Sequence, residues 1–473
     1  MRTTSVLTLA GLAALLTAAP APAQQNTRLA RADSPAPAGE AAPVTEAGET
    51  EGGREAARVS TQPATQIQYI RHADQRGINV FEAPKVAGVP YTGFRLDWSA
   101  AFTQQFQGLQ HSNTAQARMV TVNGAQVNAN ELLEIGWGFN LATANLGLNA
   151  QLAPGIRVAL ESYMSSRHHN EFWVKGGYLQ VDESPIDHPV LHRIMDHVTI
   201  KAGMFQLNYG DAHFRRSDNG NAIHNPFVEN NILDSFNTEI GTEIYFRTGP
   251  WMAMVGVTDG VNKGGVNVPS QRGPAFLGKV GFDQQLSPDV RVRLTGSVYT
   301  VERTPSNNLF NGDRTGSRYY SVMENTTSTL TGNFTSGRIN PGFTNQLTSY
   351  QINPFVRLGR LELFGVVEQA EGRNNAEADN RTWNQYAADA VYRFLPAEQL
   401  YVAARYNTAA GRLRGMTADV SVDRSALAGG WFITPSILVK GEYVRQRYHD
   451  FPALDIRNGG RFDGFVIEGV VAF

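Results

Sequence analysis

The pattern that decides the fold stands at the end of the chain, in residues 464–473, which read GFVIEGVVAF. In an extended strand, successive side chains point to opposite faces. One face of this segment therefore carries Gly469 and four apolar residues: Phe465, Ile467, Val471 and Phe473. The sequence thus predicts a final β-strand that has one apolar face and ends on an aromatic residue.

The same alternation recurs from Thr92 onward. Residues 94–102 place on one face the apolar residues Phe94, Leu96, Trp98, Ala100 and Phe102. Residues 133–141 repeat the pattern with Leu133, Ile135, Trp137, Phe139 and Leu141. About sixteen to eighteen such segments can be counted, and many are near ten residues long, which is the length that a tilted strand needs to cross a bilayer.

Connections between these segments alternate in length. The turns at 153–155 and at Gly359 are tight, whereas residues 108–129 and 302–318 form long connections. Short turns on one side of a membrane and long loops on the other are typical of outer-membrane barrels. A soluble β-sandwich or jelly roll also alternates, but it needs neither such long strands nor this asymmetry. The sequence therefore predicts an all-β fold, a transmembrane antiparallel β-barrel of about 16 strands, or else 18, over residues 92–473 in the bacterial outer membrane.

Three segments precede the predicted barrel. Residues 1–23 have the form of a signal peptide, with Arg2 before a short apolar stretch and a small-residue cleavage site at 21–23 that leaves Gln24 first in the mature chain. Residues 24–66 are rich in Ala, Pro and Glu, which predicts a disordered tether. Residues 67–91 contain more apolar residues, and the sequence does not indicate where they pack.

Composition excludes several classes of protein. Of the 473 residues, 42% are hydrophobic, but after the N-terminus no run reaches the roughly eighteen apolar residues of a transmembrane helix. The chain has no cysteine, which excludes disulfides, thiolate metal sites and a catalytic thiol. The net charge of −2 offers no electrostatic reason to expect a nucleic-acid partner.

The least regular region is residues 207–237, which read LNYGDAHFRRSDNGNAIHNPFVENNILDSF from Leu207 to Phe236. A solvated loop would not need so many apolar residues, whereas a loop folded into the lumen would use them to anchor on the wall. A compact outer loop is the alternative. The inward fold predicts a pore constriction formed by the charged residues Arg215, Arg216, Asp211, Asp218 and Glu229.

The flanks of this loop carry a family resemblance. Residues 201–210, which read KAGMFQLNYG, are followed by the loop and then by Glu239-Ile240-Gly241, and this order resembles the phosphate-selective porin O and P family. The resemblance implies a water-filled diffusion channel for small hydrophilic solutes, with anions such as phosphate among them. The final strand with its terminal Phe resembles the assembly signal of outer-membrane barrel proteins, which implies that the barrel assembly machinery recognises Phe465, Ile467, Val471 and Phe473.

Charges on the predicted lumen face are mixed. The basic residues expected there are Arg95, Arg291, Arg293, Arg357, Arg393, Arg405 and Lys440. The acidic residues expected there are Asp97, Glu362, Glu368, Asp389, Glu442 and Glu468. Anion-selective members of the family line the channel with basic residues, so this mixture leaves the charge of the transported solute open.

No recognisable enzyme motif occurs in the chain, so we expect no catalysis and no cofactor. His188 and His192 would share a helical face, as metal ligands can, but a polar loop is the favoured interpretation and no metal is expected. The remaining partners are outer-membrane lipid and, since wide porins commonly form trimers, a homotrimer. Two other functions stay open: an enzyme or adhesin carried on a barrel, and a soluble periplasmic β-sheet binding protein.

Overall fold

A computed structural model describes residues 67–473 of the chain. The predicted signal peptide, residues 1–23, and the predicted tether, residues 24–66, lie outside the described residues. The strands are β1 (Arg95–Ser112), β2 (Met119–Val122), β3 (Ala125–Asn128), β4 (Trp137–Ala153), β5 (Ile156–Ser165), β6 (His169–Val181), β7 (Val198–Gln206), β8 (Thr238–Thr248), β9 (Trp251–Thr258), β10 (Ala275–Ser287), β11 (Val290–Val301), β12 (Gln346–Leu358), β13 (Leu361–Arg373), β14 (Arg381–Phe394), β15 (Leu400–Gly411), β16 (Val420–Thr434), β17 (Ile437–His449) and β18 (Arg461–Ala472). One α-helix, α1 (Pro189–Met195), and three single 3₁₀ turns, Gln75–Gly77, Ala212–Phe214 and Pro269–Gln271, complete the secondary structure of this part of the chain.

Sixteen of these strands form one closed antiparallel barrel. β1 closes the barrel because it pairs with β4 on one side and with β18 on the other. After β18, Phe473 continues the pairing through two backbone hydrogen bonds with Ala100, each 3.0 Å long. β2 and β3 pair only with each other, in a hairpin inside the connection from β1 to β4. The predicted barrel is therefore confirmed with 16 strands, and the alternative of 18 is wrong.

No helix within residues 67–473 has the length and the apolar composition that crossing a membrane requires.

The two ends of the barrel differ as predicted. Phe473 marks the end with tight connections, such as those between β4 and β5 and between β12 and β13. The opposite end carries the longest connections, residues 207–237 and 302–345. Because short turns face the periplasm in barrels of this kind, we call these the periplasmic and outer ends. The connection from β6 to β7, which contains α1, is the longest one at the periplasmic end.

The outer surface of the barrel is an apolar band. Val255, Val280 and Leu427 lie on it and leave more than 60% of their side chains exposed, at 64%, 64% and 63%. The alternate positions face inward and are polar, as Thr103 shows, since its hydroxyl lies 2.6 Å from that of Thr143 on the neighbouring strand. An apolar exterior around a closed ladder of backbone hydrogen bonds is what a lipid bilayer requires. The chain is thus built as a β-barrel of the bacterial outer membrane.

One stretch departs from the predicted alternation. β4 begins at Trp137, so Leu133 and Ile135 lie in the preceding connection and not on the strand. Leu141 is fully buried, whereas Phe139 faces lipid and is 80% exposed. The register between β1 and β4 shifts at this point, and the bulge turns Leu141 inward. A bulge adds one residue to one strand only, which period-two counting on a single strand cannot detect.

Candidate functional site: the barrel interior

The loop of residues 207–237, named the lumen loop here, lies inside the barrel. Its backbone N–H groups bond to inward side chains of five strands: Asp211 to Asn353 at 2.7 Å, Gly220 to Asn145 at 2.6 Å, Val228 to Glu442 at 2.9 Å, Ile232 to Asn407 at 2.7 Å and Leu233 to Gln385 at 2.8 Å. Phe227 and Ile232 are fully buried against the wall. The predicted inward fold is confirmed, and its apolar residues do anchor it.

Both arginines expected at a constriction are buried in ion pairs. Arg215 lies 3.3 Å from Glu362 and also donates to Asn79. Burial lowers the pKa of Arg215, and the carboxylate of Glu362 opposes that shift. Arg216 lies 2.7 Å from Asp234 and stacks on Phe236, with its guanidinium carbon 3.7 Å from the ring centre. The structure therefore places both cations in the lumen, each beside a carboxylate.

The three acids expected at the same constriction also have partners. Asp211 lies 2.7 Å from Lys279 and 2.8 Å from Arg293. Burial would raise the pKa of Asp211, but these two cations lower it below its usual value, so the carboxylate stays charged. Asp218 pairs with Lys175, and Glu229 accepts hydrogen bonds from the hydroxyl of Ser317 at 2.6 Å and from the backbone of Arg318.

The seven wall cations that the sequence placed on the lumen face do face inward. Six of them pair with acids: Arg291 with Asp283 at 2.6 Å, Arg293 with Asp211 at 2.8 Å, Arg357 with Glu398, Arg393 with Glu362 at 2.6 Å, Arg405 with Asp389 at 2.6 Å and Lys440 with Glu468 at 2.9 Å. Arg95 lies at the periplasmic rim and donates to Thr92 at 3.0 Å. Four of these pairs join neighbouring strands, whereas Arg293 reaches Asp211 in the lumen loop and Arg357 reaches Glu398 in the connection between β14 and β15.

The connection between β11 and β12, residues 302–345, also fills the interior. The sequence had indicated an outer loop for its first part, residues 302–318. Its Tyr319 hydroxyl donates to Glu442 at 2.6 Å, and Arg318 pairs with Asp313 at 3.1 Å. It also contacts the lumen loop, since Ile339 donates to the carbonyl of Ile232 at 3.0 Å. The signal that could have revealed it is the same one that revealed the lumen loop, apolar residues such as Leu309 and Val322 within a connection.

Residues 67–91, named the N-terminal segment here, cross the periplasmic mouth of the barrel. Gln75 donates to the carbonyl of Pro435 at 2.9 Å, and Asn79 donates to Glu362 at 2.6 Å. Close to these contacts, a Cβ on Gly77 would lie 2.1 Å from the carbonyl oxygen of His72 and 2.6 Å from the Nε2 atom of His224, so only glycine fits here. The segment whose packing the sequence left open is thus a floor across the lumen.

A cavity of about 690 Å³ lies between this segment, the lumen loop and the wall of β1 and β4–β8. It is in the periplasmic half of the barrel, because Asp97 and Arg247, which border it, lie near the periplasmic ends of their strands. None of the five residues expected at the constriction borders this cavity. The cavity is bordered by arginine, lysine and tyrosine side chains that were not among the predicted site residues.

The residues of the expected assembly signal share the outer face of β18 and its extension. Phe473 is 58% exposed and Ile467 is 45% exposed. Phe465 packs edge-on against Trp137, with 4.8 Å between the ring centres. The face is therefore apolar and continuous across the β18–β1–β4 junction.

His192 lies in α1 and His188 directly precedes it, so the favoured interpretation of a polar loop is wrong. Pro189 opens the helix and the His188 side chain caps it by accepting from the backbone of Val190 at 3.2 Å. Such a cap satisfies backbone donors that a loop would leave to water. Within residues 67–473, no group of three His, Cys, Asp or Glu side chains is arranged to hold a metal ion.

Comparison with known proteins gives structural neighbours only. No protein-family model matches the chain, and no curated protein is significantly similar to it. The anion-selective porin from Comamonas acidovorans matches with a TM-score of 0.48 and 10% identity, over 80% of this chain and 100% of that chain. The outer membrane channel DcaP of Acinetobacter baumannii matches with a TM-score of 0.47 and 10% identity, over 81% and 99%. OmpT, an outer membrane protein of Vibrio cholerae, matches with a TM-score of 0.45 and 9% identity, over 81% and 99%. Likeness at this level carries no information on the solute or the assembly of this chain.

Proposed function

We propose that this protein is an outer-membrane porin through which small hydrophilic solutes diffuse passively. One observation carries the proposal: a closed 16-strand barrel with an apolar exterior surrounds an interior of charged and polar side chains and a cavity of about 690 Å³. Barrels of this width can enclose an aqueous path. A soluble binding protein has no use for an apolar exterior, and no cluster in the described interior favours an enzyme.

The proposal includes the route and its selectivity. We expect solutes to pass between the lumen loop and the wall, beside Arg215, Arg216, Asp211, Asp218 and Glu229. Because Arg215 and Arg216 are paired with acids, we expect only a weak preference for anions, weaker than that of the phosphate-selective porin O and P family. Recognition of the final strand by the assembly machinery and assembly as a homotrimer belong to the same proposal.

Conductance of the purified full-length protein in a planar lipid bilayer tests the proposal. We expect stepwise, ohmic increases in current in potassium chloride, and a reversal potential in a salt gradient that indicates weak anion preference. Replacing Arg215 and Arg216 with Ala should shift that reversal potential toward cations at low salt, and screening should shrink the shift at high salt. A heat-modifiable, correctly inserted barrel that passes no current would contradict the porin proposal.

A further inference from the structure

The cavity of the periplasmic half has a charge that its own acids do not balance. Four of the cations that border it are Arg71, Arg157, Lys201 and Arg247. Among residues 67–473, the only carboxylate recorded as an ion pair with any of the four is that of Glu243, 3.7 Å from Lys201. Glu243 is itself occupied, since it accepts from Tyr245 at 2.6 Å. These four cations differ in this respect from the six ion-paired wall cations named above.

Neutral groups hold three of the cations in place, and for Arg247 the group is the carbonyl of Ala83. Arg71 donates to the carbonyls of Gly77 and Phe214, each at 2.9 Å, and Arg157 donates to Asn149 at 3.1 Å and to Gln180 at 2.7 Å. The Nε atoms of Arg157 and Arg247 are buried and have no hydrogen-bond partner. A buried guanidinium donor without an acceptor is costly, so each of these side chains is short of one acceptor.

Three of the acids that border the same cavity pair with cations other than these four. Their ion pairs are Asp74 with Arg76 at 2.7 Å, Glu161 with Lys175 at 3.0 Å, and Glu82 with Arg293 at 2.9 Å. Asp97 has no ion pair within residues 67–473, and Glu82, which also attracts Arg71 and Arg247, is shared with Lys279 and Arg293. These two carboxylates do not balance the four cations. His213 and His224 also border the cavity, but burial lowers the pKa of each well below its usual value, so both are neutral at pH 7. The cavity therefore carries an excess of positive charge.

Aromatic rings accompany these cations. The Nζ atom of Lys201 lies 4.7 Å from the ring centre of Tyr178 and 4.4 Å from that of Phe205. Arg157 lies 5.6 Å from the ring of Tyr178, and Arg71 lies 5.5 Å from the ring of Phe214. The volume of about 690 Å³ far exceeds what an inorganic anion would fill and lies in the range of sites for small organic molecules.

We infer that this cavity binds a small organic anion, whose carboxylate contacts Arg71, Arg157, Lys201 and Arg247 and whose apolar body packs on Tyr178, Phe205 and Phe214. A carboxylate supplies the negative charge that these cations lack, and its hydrogen bonds to guanidinium and ammonium groups are charge-assisted and therefore strong. The inference rests on the proposed function, because the solute reaches the cavity through the lumen, and it adds the class of solute.

Isothermal titration calorimetry of the folded full-length protein in detergent tests the inference. The probe is 2-naphthoate, with naphthalene-2-carboxamide as the neutral probe of the same shape and inorganic phosphate as the anion without an apolar body. We expect saturable binding of 2-naphthoate and at least about tenfold weaker binding of the other two. Equal binding of the amide would overturn the role of charge, and equal binding of phosphate would overturn the role of the apolar body.

Variants locate the site. Arg157→Gln on the wall and Arg71→Gln in the N-terminal segment should each weaken 2-naphthoate binding about tenfold. The matched control is Arg357→Gln, which removes a lumen cation outside the cavity and should leave binding unchanged. The two test positions lie on different elements, so if one variant misfolds, the other can still test the inference. Heat-modifiable migration shows which variants are folded. Unchanged binding in a folded variant at either position would place the anion elsewhere.

Conductance separates this inference from the proposed function. A wild-type protein that conducts chloride in a bilayer but binds no 2-naphthoate would overturn the inference and leave the porin proposal standing. A protein that binds 2-naphthoate at Arg157 but passes no current would uphold the inference about the ligand and contradict the porin proposal. A protein that does both, with 2-naphthoate reducing the chloride current of the wild type but not that of Arg157→Gln, would support the two together.

Discussion

Lys440 shows how a single charge is accommodated inside this barrel. Its side chain and that of Glu468 are both fully buried, with 2.9 Å between Nζ and the carboxylate. The ammonium also donates to the carbonyls of Ala222, Asn225 and Phe227 in the lumen loop, at 2.9, 3.0 and 2.7 Å. One residue thus joins the wall to the loop.

Lys440→Met should destabilise the folded barrel by about 3–5 kcal/mol, because it leaves Glu468 buried without its cation and three carbonyls without a donor. The control is Arg291→Met, where Asp283 keeps Arg293 at 3.1 Å and the pair is partly exposed. The stability of both variants is measured in detergent as the urea concentration at which half of the heat-modifiable protein has unfolded. An equal loss in the two variants would contradict this account of Lys440.

His224 makes the contact between the lumen loop and the N-terminal segment sensitive to pH. Its Nε2 atom lies 3.0 Å from the carbonyl oxygen of Asp74. Burial, and next the nearby Arg71, lower the pKa of His224 well below its usual value, so the folded state holds the neutral ring. A histidine whose pKa is lower in the folded state contributes stability that is complete above about pH 6.5 and is lost as the pH falls below that value.

Hydrogen exchange followed by mass spectrometry should therefore show weaker protection of residues 67–91 at pH 5 than at pH 7, after correction for intrinsic exchange. His224→Gln can still donate to Asp74 and should lose most of this pH dependence, whereas the exposed His192→Gln should keep it. Protection that does not change between the two pH values in the wild type would show that the contact does not respond to protonation.

At the scale of the element, β18 and Phe473 combine closure of the barrel with the apolar face expected of an assembly signal. Backbone bonds from Phe473 to Ala100 extend the β1–β18 pairing, and they do not depend on the Phe side chain. The lipid-facing ring is therefore free to serve recognition. A substitution at this position separates the two roles.

Phe473→Ser should reduce the amount of heat-resistant barrel in membranes severalfold, since the side chain is lost while the backbone pairing remains. Phe276→Ser is the matched control, because Phe276 faces lipid on β10 with 54% exposure against 58% for Phe473. Each of the two substitutions removes about 2–3 kcal/mol of favourable free energy from the contact of the Phe side chain with lipid. Equal amounts of folded protein in the two variants would assign Phe473 no role beyond that contact.

At the scale of the whole molecule, three separate parts of the chain fill one lumen. The N-terminal segment covers the periplasmic mouth, and the lumen loop and residues 302–345 enter from the outer end. Asn79 joins the first two, because it donates to Glu362 and accepts from Arg215. The free cross-section of the channel is therefore set by these segments more than by the number of strands.

Deleting residues 67–91 should raise single-channel conductance about twofold or more, since it removes the floor of the lumen while all 16 strands remain. Planar-bilayer recordings of the deletion and of the full chain give the comparison. The control is a deletion of equal length within residues 302–345, which disturbs the outer end instead. Comparing the two deletions separates the contribution of each entrance to the conductance. An unchanged conductance after deletion of 67–91 would locate the narrowest point at the lumen loop.

The sequence by itself determined the membrane barrel, because a strand's two faces follow from local period-two alternation and need no knowledge of distant residues. It also determined that the lumen loop turns inward, since apolar residues in a long polar connection need a wall to cover them. It did not reveal that inward positions such as Thr295 are packed: Thr295 is buried and donates to Asp211 at 2.9 Å. Only the tertiary structure decided that, together with the floor formed by residues 67–91 and the excess of cations around the cavity. The physical reason is that pairs such as Arg215 and Glu362 join residues far apart in the chain, and their distance is set by closure of the barrel around the loops and not by any local pattern.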